Sequence, residues 1–324
     1  MSETYITHKT ISDYADAKIN LKQEEVKKYR EQVNRLRDNL KTYIDENTNY
    51  DLVKMLGAGS VAKGTALKTL NDMDVAVYIK SGEHTVSESG LLTWLQERLQ
   101  DAYKGKNISP EQITINHHCV TISFKGTGLD VDVSPVICDD CTSDYGYLIK
   151  KTTGERVLTN IPLHLKFIRT RKARQPHHYR QVIRLLKWWV RNLKKNDDNF
   201  RFKSFLIELL CAHLADNGQV MNDYVQAMEA FFIYIIKSQL QERIYFTDNY
   251  RASDLPAKSS AVIEIFDPVN SQNNIVASYT DADRIAIVEA AQDALDAINE
   301  ARFATTQERA VNCWRRIFGP TFNI

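Results

Sequence analysis

Apolar side chains recur at every third or fourth position in the first part of the chain, between Ser12 and Asn47. This spacing places them on one side of an α-helix, which predicts a single amphipathic helix over 12–47 with Ser12 as its N-cap. At 1.5 Å per residue the helix would be about 50 Å long, and we expect it to pack along its own domain as a spine. The stripe consists of Val26, Tyr29, Val33, Leu36, Leu40 and Tyr43.

Short runs rich in Val and Ile begin after residue 70 and change the prediction from helix to strand. Strands are predicted over 74–79, 112–124 and 129–136, with a helix over 85–103 between the first two. From about residue 160 the helical period returns. Helices are predicted over 177–196, 202–217, 222–240, 282–303 and 305–318. Strands followed by helices favour an α+β fold with two domains, 1–160 and 161–324.

The composition excludes several classes of protein. With 43% hydrophobic residues and a net charge of +1, the 324-residue chain does not have the composition of a disordered protein. No apolar run approaches the roughly 20 residues that cross a bilayer, and the N-terminal residues contain no signal-peptide core. Five cysteines, an odd number, predict reduced thiols, and the single CxxC at Cys138 and Cys141 does not by itself establish a zinc site. The sequence therefore predicts a soluble cytoplasmic protein with no membrane partner.

Basic residues are distributed unevenly along the chain. Between Arg156 and Asn196 there are twelve Lys or Arg residues and three His, but no Asp or Glu. Such a segment can attract phosphate groups locally. Alternatively, it forms helix faces whose charge is balanced by acidic residues elsewhere in the fold.

A glycine-serine turn precedes a pair of acidic residues at a fixed distance. Gly57, Gly59 and Ser60 would form a turn whose bare backbone N–H groups and hydroxyl could bind phosphate oxygens, with a short helix expected over 61–66. Asp72 and Asp74 follow at positions i and i+2, at the start of an apolar strand. Residues two apart in a strand project from the same face, so both carboxylates are expected to point to one place.

A second acidic strand carries Asp130 and Asp132, again at i and i+2. Three carboxylates converging from the two strands would hold two Mg²⁺ ions, or Mn²⁺, roughly 4 Å apart. Each feature has an ordinary alternative, because glycine-serine turns are common and acidic pairs often solvate a strand end. The stretch GAGSVAKGT does not fit the phosphate-binding P-loop pattern, which excludes that class.

These motifs together resemble a known superfamily. The glycine-serine pair, the DxD strand and the later acidic strand are similar to those of the DNA polymerase β-type nucleotidyltransferases. IRLLKWWVRN (183–192) and FKSFLIELL (202–210) resemble consecutive helices of the 2-5A synthetase and cyclic GMP-AMP synthase group. ERVLTNIPLHLKFI (155–168) and FDPVNSQNNIV (266–276) resemble further segments of that group. The chain is thus identified as similar to the cGAS/DncV-like nucleotidyltransferases, the bacterial CD-NTases of CBASS anti-phage systems.

The resemblance implies a fold and a set of site residues. The fold would be a polymerase β-like nucleotidyltransferase core, a mixed sheet with helices, followed by an OAS-like helical lobe. Asp132 would be the third catalytic carboxylate beside Asp72 and Asp74, because VDVSP fits the family pattern. Lys187 and Ser204 would bind the triphosphate, and Phe205 would stack on a base. The alternatives are that Lys187 is a surface lysine and that the phenylalanine belongs to the core.

Asn160 falls where the resemblance places a base-selecting residue. Purine-selecting relatives usually carry serine there, and asparagine goes with pyrimidine use, which implies that one product base is uracil. The alternative is a helix N-cap just ahead of Pro162.

The function implied by the resemblance is the joining of NTPs (ATP, UTP or others) into a cyclic oligonucleotide messenger, with release of pyrophosphate. A downstream effector would read the product. The resemblance also allows regulatory CBASS partners, which the sequence does not identify. The helical lobe lacks the His/Cys cluster of the DNA-sensing relatives, so activation by DNA is not expected. Two alternatives are a template-independent nucleotidyltransferase acting on RNA, by 2-5A synthesis or CCA addition, and a catalytically inert nucleotide-binding relative. The sequence leaves open the ring size, the linkage and the oligomeric state.

Overall fold

The computed structural model describes residues 5–47, 51–69, 72–80, 90–116, 118–139, 141–149 and 154–324. These residues form two compact units. The sheet unit is Leu21–Lys166, and the helical unit is Phe167–Ile324 together with the segment up to Asn20. The division near Lys166 lies close to the predicted boundary, but the first 20 residues group with the helical unit and not with the sheet.

The prediction of one helix over 12–47 is wrong, because two helices occupy this region. Helix α1 (His8–Tyr14) continues into a π-helical turn and ends before α2 (Gln23–Asn47) begins. Thr7 caps α1 by accepting a hydrogen bond from the Thr10 N–H. Tyr14 is buried and its hydroxyl hydrogen-bonds the Thr321 hydroxyl at 2.9 Å, which explains why this segment belongs to the helical unit.

A mixed sheet forms the centre of the sheet unit. Its strands are β1 (Asp51–Gly57), β2 (Asp72–Lys80), β3 (Ile113–Ile115), β4 (Val120–Phe124), β5 (Leu129–Cys138), β6 (Gly146–Ile149) and β7 (Arg156–Thr159). The order is β1-β2-β5-β4-β3, and β6 joins β5 to β7. β2 and β5 run parallel, whereas the other neighbours are antiparallel. The segment predicted as one strand over 112–124 is the hairpin of β3 and β4.

Helices cover one face of this sheet. The short α3 (Gly59–Lys63) follows β1, and α4 (Leu91–Ala102) follows β2, while residues 85–89 of the predicted helix lie outside the described residues. In α2 the predicted stripe is buried at Leu36 and Leu40, which pack into the same apolar cluster as α4 and the strands. Burial of this one face stabilises α2 far more than helix propensity alone would.

The helical unit agrees with the predicted helices to within a few residues. It contains α6 (Tyr179–Asn196), α7 (Ser204–Asp216), α8 (Tyr224–Ser238), α9 (Asp281–Arg302), α10 (Gln307–Phe318) and the hairpin of β8 (Phe266–Asp267) and β9 (Asn270–Asn274). Helix α5 (Ile161–Arg174) crosses the boundary between the units. Among the described residues, no helix combines the length and the apolar character that a membrane span requires.

Acidic residues elsewhere in the helical unit balance part of the acid-free segment. The Arg171 guanidinium, 4% exposed, donates to Asp216 and to Asp248 at 2.9 Å, and Lys187 pairs with Glu208. Arg171 and Lys187 are therefore balanced by acidic residues of the fold, as the alternative interpretation of the acid-free segment predicted.

The expectation of reduced thiols is wrong for two of the five cysteines. Cys138, the last residue of β5, and Cys141 form a disulfide, with Cα atoms 5.0 Å apart. This separation lies within the usual range for a disulfide. Cys119, Cys211 and Cys313 are free, as predicted.

Candidate active site

The four acidic residues of the two predicted acidic strands lie side by side. β2 and β5 are parallel neighbours, and their register pairs Asp72 with Asp130 and Asp74 with Asp132. Because residues two apart in a strand share a face, all four carboxylates belong to one face of the sheet. We call these four residues the carboxylate face.

Like charges interact across the carboxylate face. Burial raises the pKa of Asp72 above its ordinary value, and the Asp132 and Asp130 carboxylates raise that pKa further. In the part of the chain that the structure describes, no three His, Cys, Asp or Glu side chains are gathered closely enough to hold a metal ion by themselves. A cation here would need further oxygen ligands, which Mg²⁺ commonly takes from substrate phosphates. The donor set, carboxylates on one face, fits a hard divalent cation.

Gly59 lies directly against the Asp74 carboxylate. Its φ of +60° is in the left-handed region, and a Cβ at this position would overlap Asp74 Oδ2. Glycine is therefore required both for the backbone conformation and for space. The Ala58 N–H donates to the Asp74 carbonyl oxygen at 2.8 Å, which fixes the bend carrying Gly59 and Ser60 beside β2. The structure thus brings the predicted phosphate-binding bend to the predicted metal ligands.

Three residues beside the carboxylate face were not assigned a role from the sequence. Thr121 on β4 lies opposite Asp132, and its hydroxyl donates to Asp132 Oδ1 at 2.5 Å. Asn116 in turn donates to that hydroxyl at 2.6 Å. Burial raises the pKa of the Cys119 thiol to about 12, and Asp132 raises it as well, so this cysteine is a protonated thiol at neutral pH. The sequence signal was the pair of hydroxyl residues, Thr121 and Ser123, that alternate with apolar residues in β4.

The other predicted site residues lie in the helical unit. Lys187 on α6 is buried, and its Nζ donates to Glu208 Oε1 on α7 at 2.6 Å, with the two side chains 5% and 3% exposed. The alternative of a surface lysine is therefore wrong, while contact of this lysine with a triphosphate stays a prediction. Ser204 is the exposed first residue of α7, and Phe205 beside it is half-buried.

Asn160 has a clear structural role. Its Oδ1 accepts a hydrogen bond from the Leu163 N–H at 2.9 Å, and its carbonyl accepts from His164 in the first turn of α5. The side chain is 2% exposed. This is the N-cap that the sequence offered as the alternative, whereas a contact between this side chain and a base stays a prediction.

Two family models match most of the chain. Residues 6–161 match the Second Messenger Oligonucleotide or Dinucleotide Synthetase domain. Residues 142–317 match the C-terminal domain 2 of 2'-5'-oligoadenylate synthetase 1. The first match contains the carboxylate face, and the second contains Lys187 and Ser204.

Curated relatives match over nearly the full length. The chain is 44% identical over 322 residues to a cyclic AMP-AMP-AMP synthase of Escherichia coli strain MS 115-1, covering 99% of both chains. It is 31% identical to a CBASS oligonucleotide cyclase, CdnC, of E. coli strain KTE188, covering 98% of both. Identity at this level over whole chains places all of these proteins in one family.

Two solved structures are also similar to this chain over nearly its full length. A structure of E. coli MS115-1 CdnC with ATP has a TM-score of 0.90 and 44% identity, covering 98% of this chain and 99% of that one. A structure of CdnC in complex with HORMA-deltaN has a TM-score of 0.90 and 43% identity, with the same coverage.

Proposed function

Because the chain belongs to the cGAS/DncV-like nucleotidyltransferases of CBASS systems, we propose that it joins three ATP molecules into cyclic AMP-AMP-AMP at the carboxylate face. As a member of this family it is a nucleotidyltransferase that makes a cyclic oligonucleotide for defence. The choice of nucleotide, the ring size and the site are our proposal.

The observation that carries the proposal is the parallel pairing of β2 with β5. It places Asp74 directly opposite Asp132, with the bend at Gly59 against the Asp74 carboxylate. Phosphoryl transfer depends mainly on positioning reactants and neutralising charge, and a row of carboxylates beside a phosphate-binding bend can do both with a cation.

We propose that Asp72, Asp74 and Asp132 bind two divalent cations, Mg²⁺ or Mn²⁺, together with the triphosphate. When bound, such cations lower the pKa of an attacking hydroxyl and neutralise a leaving pyrophosphate. The carboxylates orient the cations, and the Ser60 hydroxyl and the N–H groups of the bend would hold phosphate oxygens. Repulsion within the carboxylate face favours cation binding, because the Asp132 and Asp130 carboxylates add to the rise that burial causes in the pKa of Asp72.

Adenosine is the base favoured by the relatives, and the helix-capping role of Asn160 weakens the case for uridine. The 44% identical synthase is named for a product containing only AMP units, and a structural neighbour is a complex with ATP. The uridine predicted from Asn160 depends on a free amide, but its Oδ1 caps α5 and the side chain is 2% exposed. We therefore propose ATP as the substrate in place of UTP.

A HORMA-domain protein is the regulatory partner we propose, because a structural neighbour is the complex of E. coli MS115-1 CdnC with HORMA-deltaN. We further propose that a downstream effector reads the cyclic product.

Product analysis tests the proposal directly. The purified protein, with and without a HORMA-domain partner, is incubated with Mg²⁺ and with ATP, UTP or both, and then with phosphatase. We expect a phosphatase-resistant product with the mass of cyclic triadenylate from ATP alone, and none in the presence of EDTA. Asn160→Ser should keep the cap and leave the product unchanged.

Other results would redirect the proposal. A uridine-containing ring, altered by Asn160→Ser, would restore the base-selecting role of Asn160. Label transferred only to added RNA would instead favour an RNA-directed nucleotidyltransferase. No turnover with any NTP, metal ion or HORMA partner would indicate a nucleotide-binding protein without activity.

A further inference from the structure

Asp132 is hydrogen-bonded by a side chain from the strand on its other side. Thr121 on β4 is its register partner, so the two side chains share a face of the sheet. The Thr121 hydroxyl, in a residue only 9% exposed, donates to Asp132 Oδ1 at 2.5 Å. One oxygen of the predicted metal ligand is therefore fixed from within the protein.

The direction of this hydrogen bond is set by a third residue. The Asn116 amide Nδ2 donates to Thr121 Oγ1 at 2.6 Å. A hydroxyl has one hydrogen, and with its oxygen accepting from Asn116 that hydrogen goes to the carboxylate. Asn116 is itself held at the end of β3, because its backbone N–H donates to the Cys119 carbonyl at 2.9 Å.

We propose that Thr121 and Asn116 are positioning residues that hold the Asp132 carboxylate in the orientation in which it binds a divalent cation. We call the hydrogen-bonded chain Asn116–Thr121–Asp132 the relay. The inference rests on the proposed function, since it assumes that Asp132 is a metal ligand. Mutation of a residue that hydrogen-bonds a metal ligand commonly lowers metal affinity or activity by about 10- to 100-fold.

The relay acts on one carboxylate only. Asp130, on the same strand, has Ser123 as its partner on β4, and no hydrogen bond from the Ser123 side chain is seen in the described residues. The difference predicts that removing the Thr121 hydroxyl weakens cation binding, whereas removing other hydroxyls of the same hairpin does not.

The test uses Thr121→Val, which has nearly the same shape but no hydroxyl, and Thr121→Ser, which keeps the hydroxyl. Thr114→Val is the matched control, because Thr114 lies opposite Thr121 on β3 and is exposed. Binding of Mn²⁺ is measured by electron paramagnetic resonance in the presence of a non-hydrolysable ATP analogue. We expect the Mn²⁺ dissociation constant to rise about 10- to 100-fold in Thr121→Val, and to stay within about threefold of wild type in Thr121→Ser and Thr114→Val.

Turnover provides a second readout. In Thr121→Val, the Mg²⁺ concentration for half-maximal activity should rise by the same factor, and excess Mg²⁺ should restore much of the rate. Asn116→Ala should show the same change at about tenfold, the lower end of that range, and serves as the test if Thr121→Val does not fold.

The relay and the proposed function fail in different ways. If wild type binds Mn²⁺ and Asp132→Asn does not, but Thr121→Val binds as tightly as wild type, the relay is wrong and the metal assignment stands. If Asp132→Asn binds Mn²⁺ as tightly as wild type, the metal assignment fails and the relay with it.

Discussion

The carboxylate face places like charges side by side, whereas the buried pair of Lys187 and Glu208 joins opposite charges. On the carboxylate face, four acidic residues of β2 and β5 lie in adjacent register positions, and burial, with a further contribution from the neighbouring carboxylates, raises the pKa of Asp72. In the helical unit, a buried ammonium meets a buried carboxylate at 2.6 Å. The like charges of the carboxylate face oppose folding and are typical of a site that binds a cation. The opposite charges of Lys187 and Glu208 neutralise each other within the chain.

The comparison separates two kinds of evidence for function. Like charges held together indicate a ligand, because a fold gains nothing from such repulsion. A buried ion pair gives no such indication, since its members satisfy each other. The predicted triphosphate contact of Lys187 therefore depends on the family resemblance more than the roles of Asp72, Asp74 and Asp132 do.

The largest expected effect is the loss of catalysis on neutralising Asp132. Asp132→Asn should lower product formation from ATP by at least about a thousandfold, because a cation ligand is lost. Asp130→Asn is the matched variant on the same strand and should lower activity less than tenfold. Product is measured by chromatography and mass spectrometry. Equal losses in both variants would contradict the assignment of Asp132 as the third ligand.

Breaking the buried ion pair should mainly affect stability. Glu208→Gln leaves the Lys187 ammonium buried without its carboxylate, and the free energy of unfolding should fall by about 3–5 kcal/mol, as measured by urea denaturation. The double variant Lys187→Met with Glu208→Gln should recover most of this loss. If the double variant is stable but its KM for ATP is raised at least tenfold, Lys187 binds the triphosphate. An unchanged KM would remove that role.

A side chain at Gly59 should disturb the site through Asp74. Gly59→Ala forces a Cβ against the carboxylate and places alanine at positive φ, which alone costs about 1–2 kcal/mol. Activity should fall about a hundredfold or more. Gly57→Ala is the control, because nothing lies within 4 Å of a Cβ there. A Gly59→Ala protein as active as wild type would contradict the placement of the bend at the site.

The smallest expected effect is on the pH dependence of stability. The pKa of Asp72 is raised in the folded state, so its ionisation opposes folding as the pH rises through that pKa. In EDTA, Asp72→Asn should therefore raise the melting temperature at neutral pH by a few degrees and leave it nearly unchanged at pH 3. A lower melting temperature of this variant at neutral pH would contradict a destabilising charge at Asp72.

The sequence predicted the fold where the pattern was long or dense in Val and Ile, as in α6, α7, β2 and β5. It did not predict β1, β6 and β7, which are shorter or more polar and depend on a neighbouring strand for their hydrogen bonds. It also joined α1 to α2, since both helices have apolar faces and the break near Asn20 carries no proline or glycine.

The local spacing of residues determined the acidic pairs and the glycine-serine bend, because i and i+2 share a strand face wherever the strand lies in the sheet. Only the tertiary structure decided which segments became neighbours. In the folded chain Asp74 lies opposite Asp132, and Lys187 pairs with Glu208. Thr121 donates a hydrogen bond to Asp132, and Asn160 caps a helix. Each of these contacts joins residues whose proximity depends on the folded backbone, which short-range periodicity does not specify.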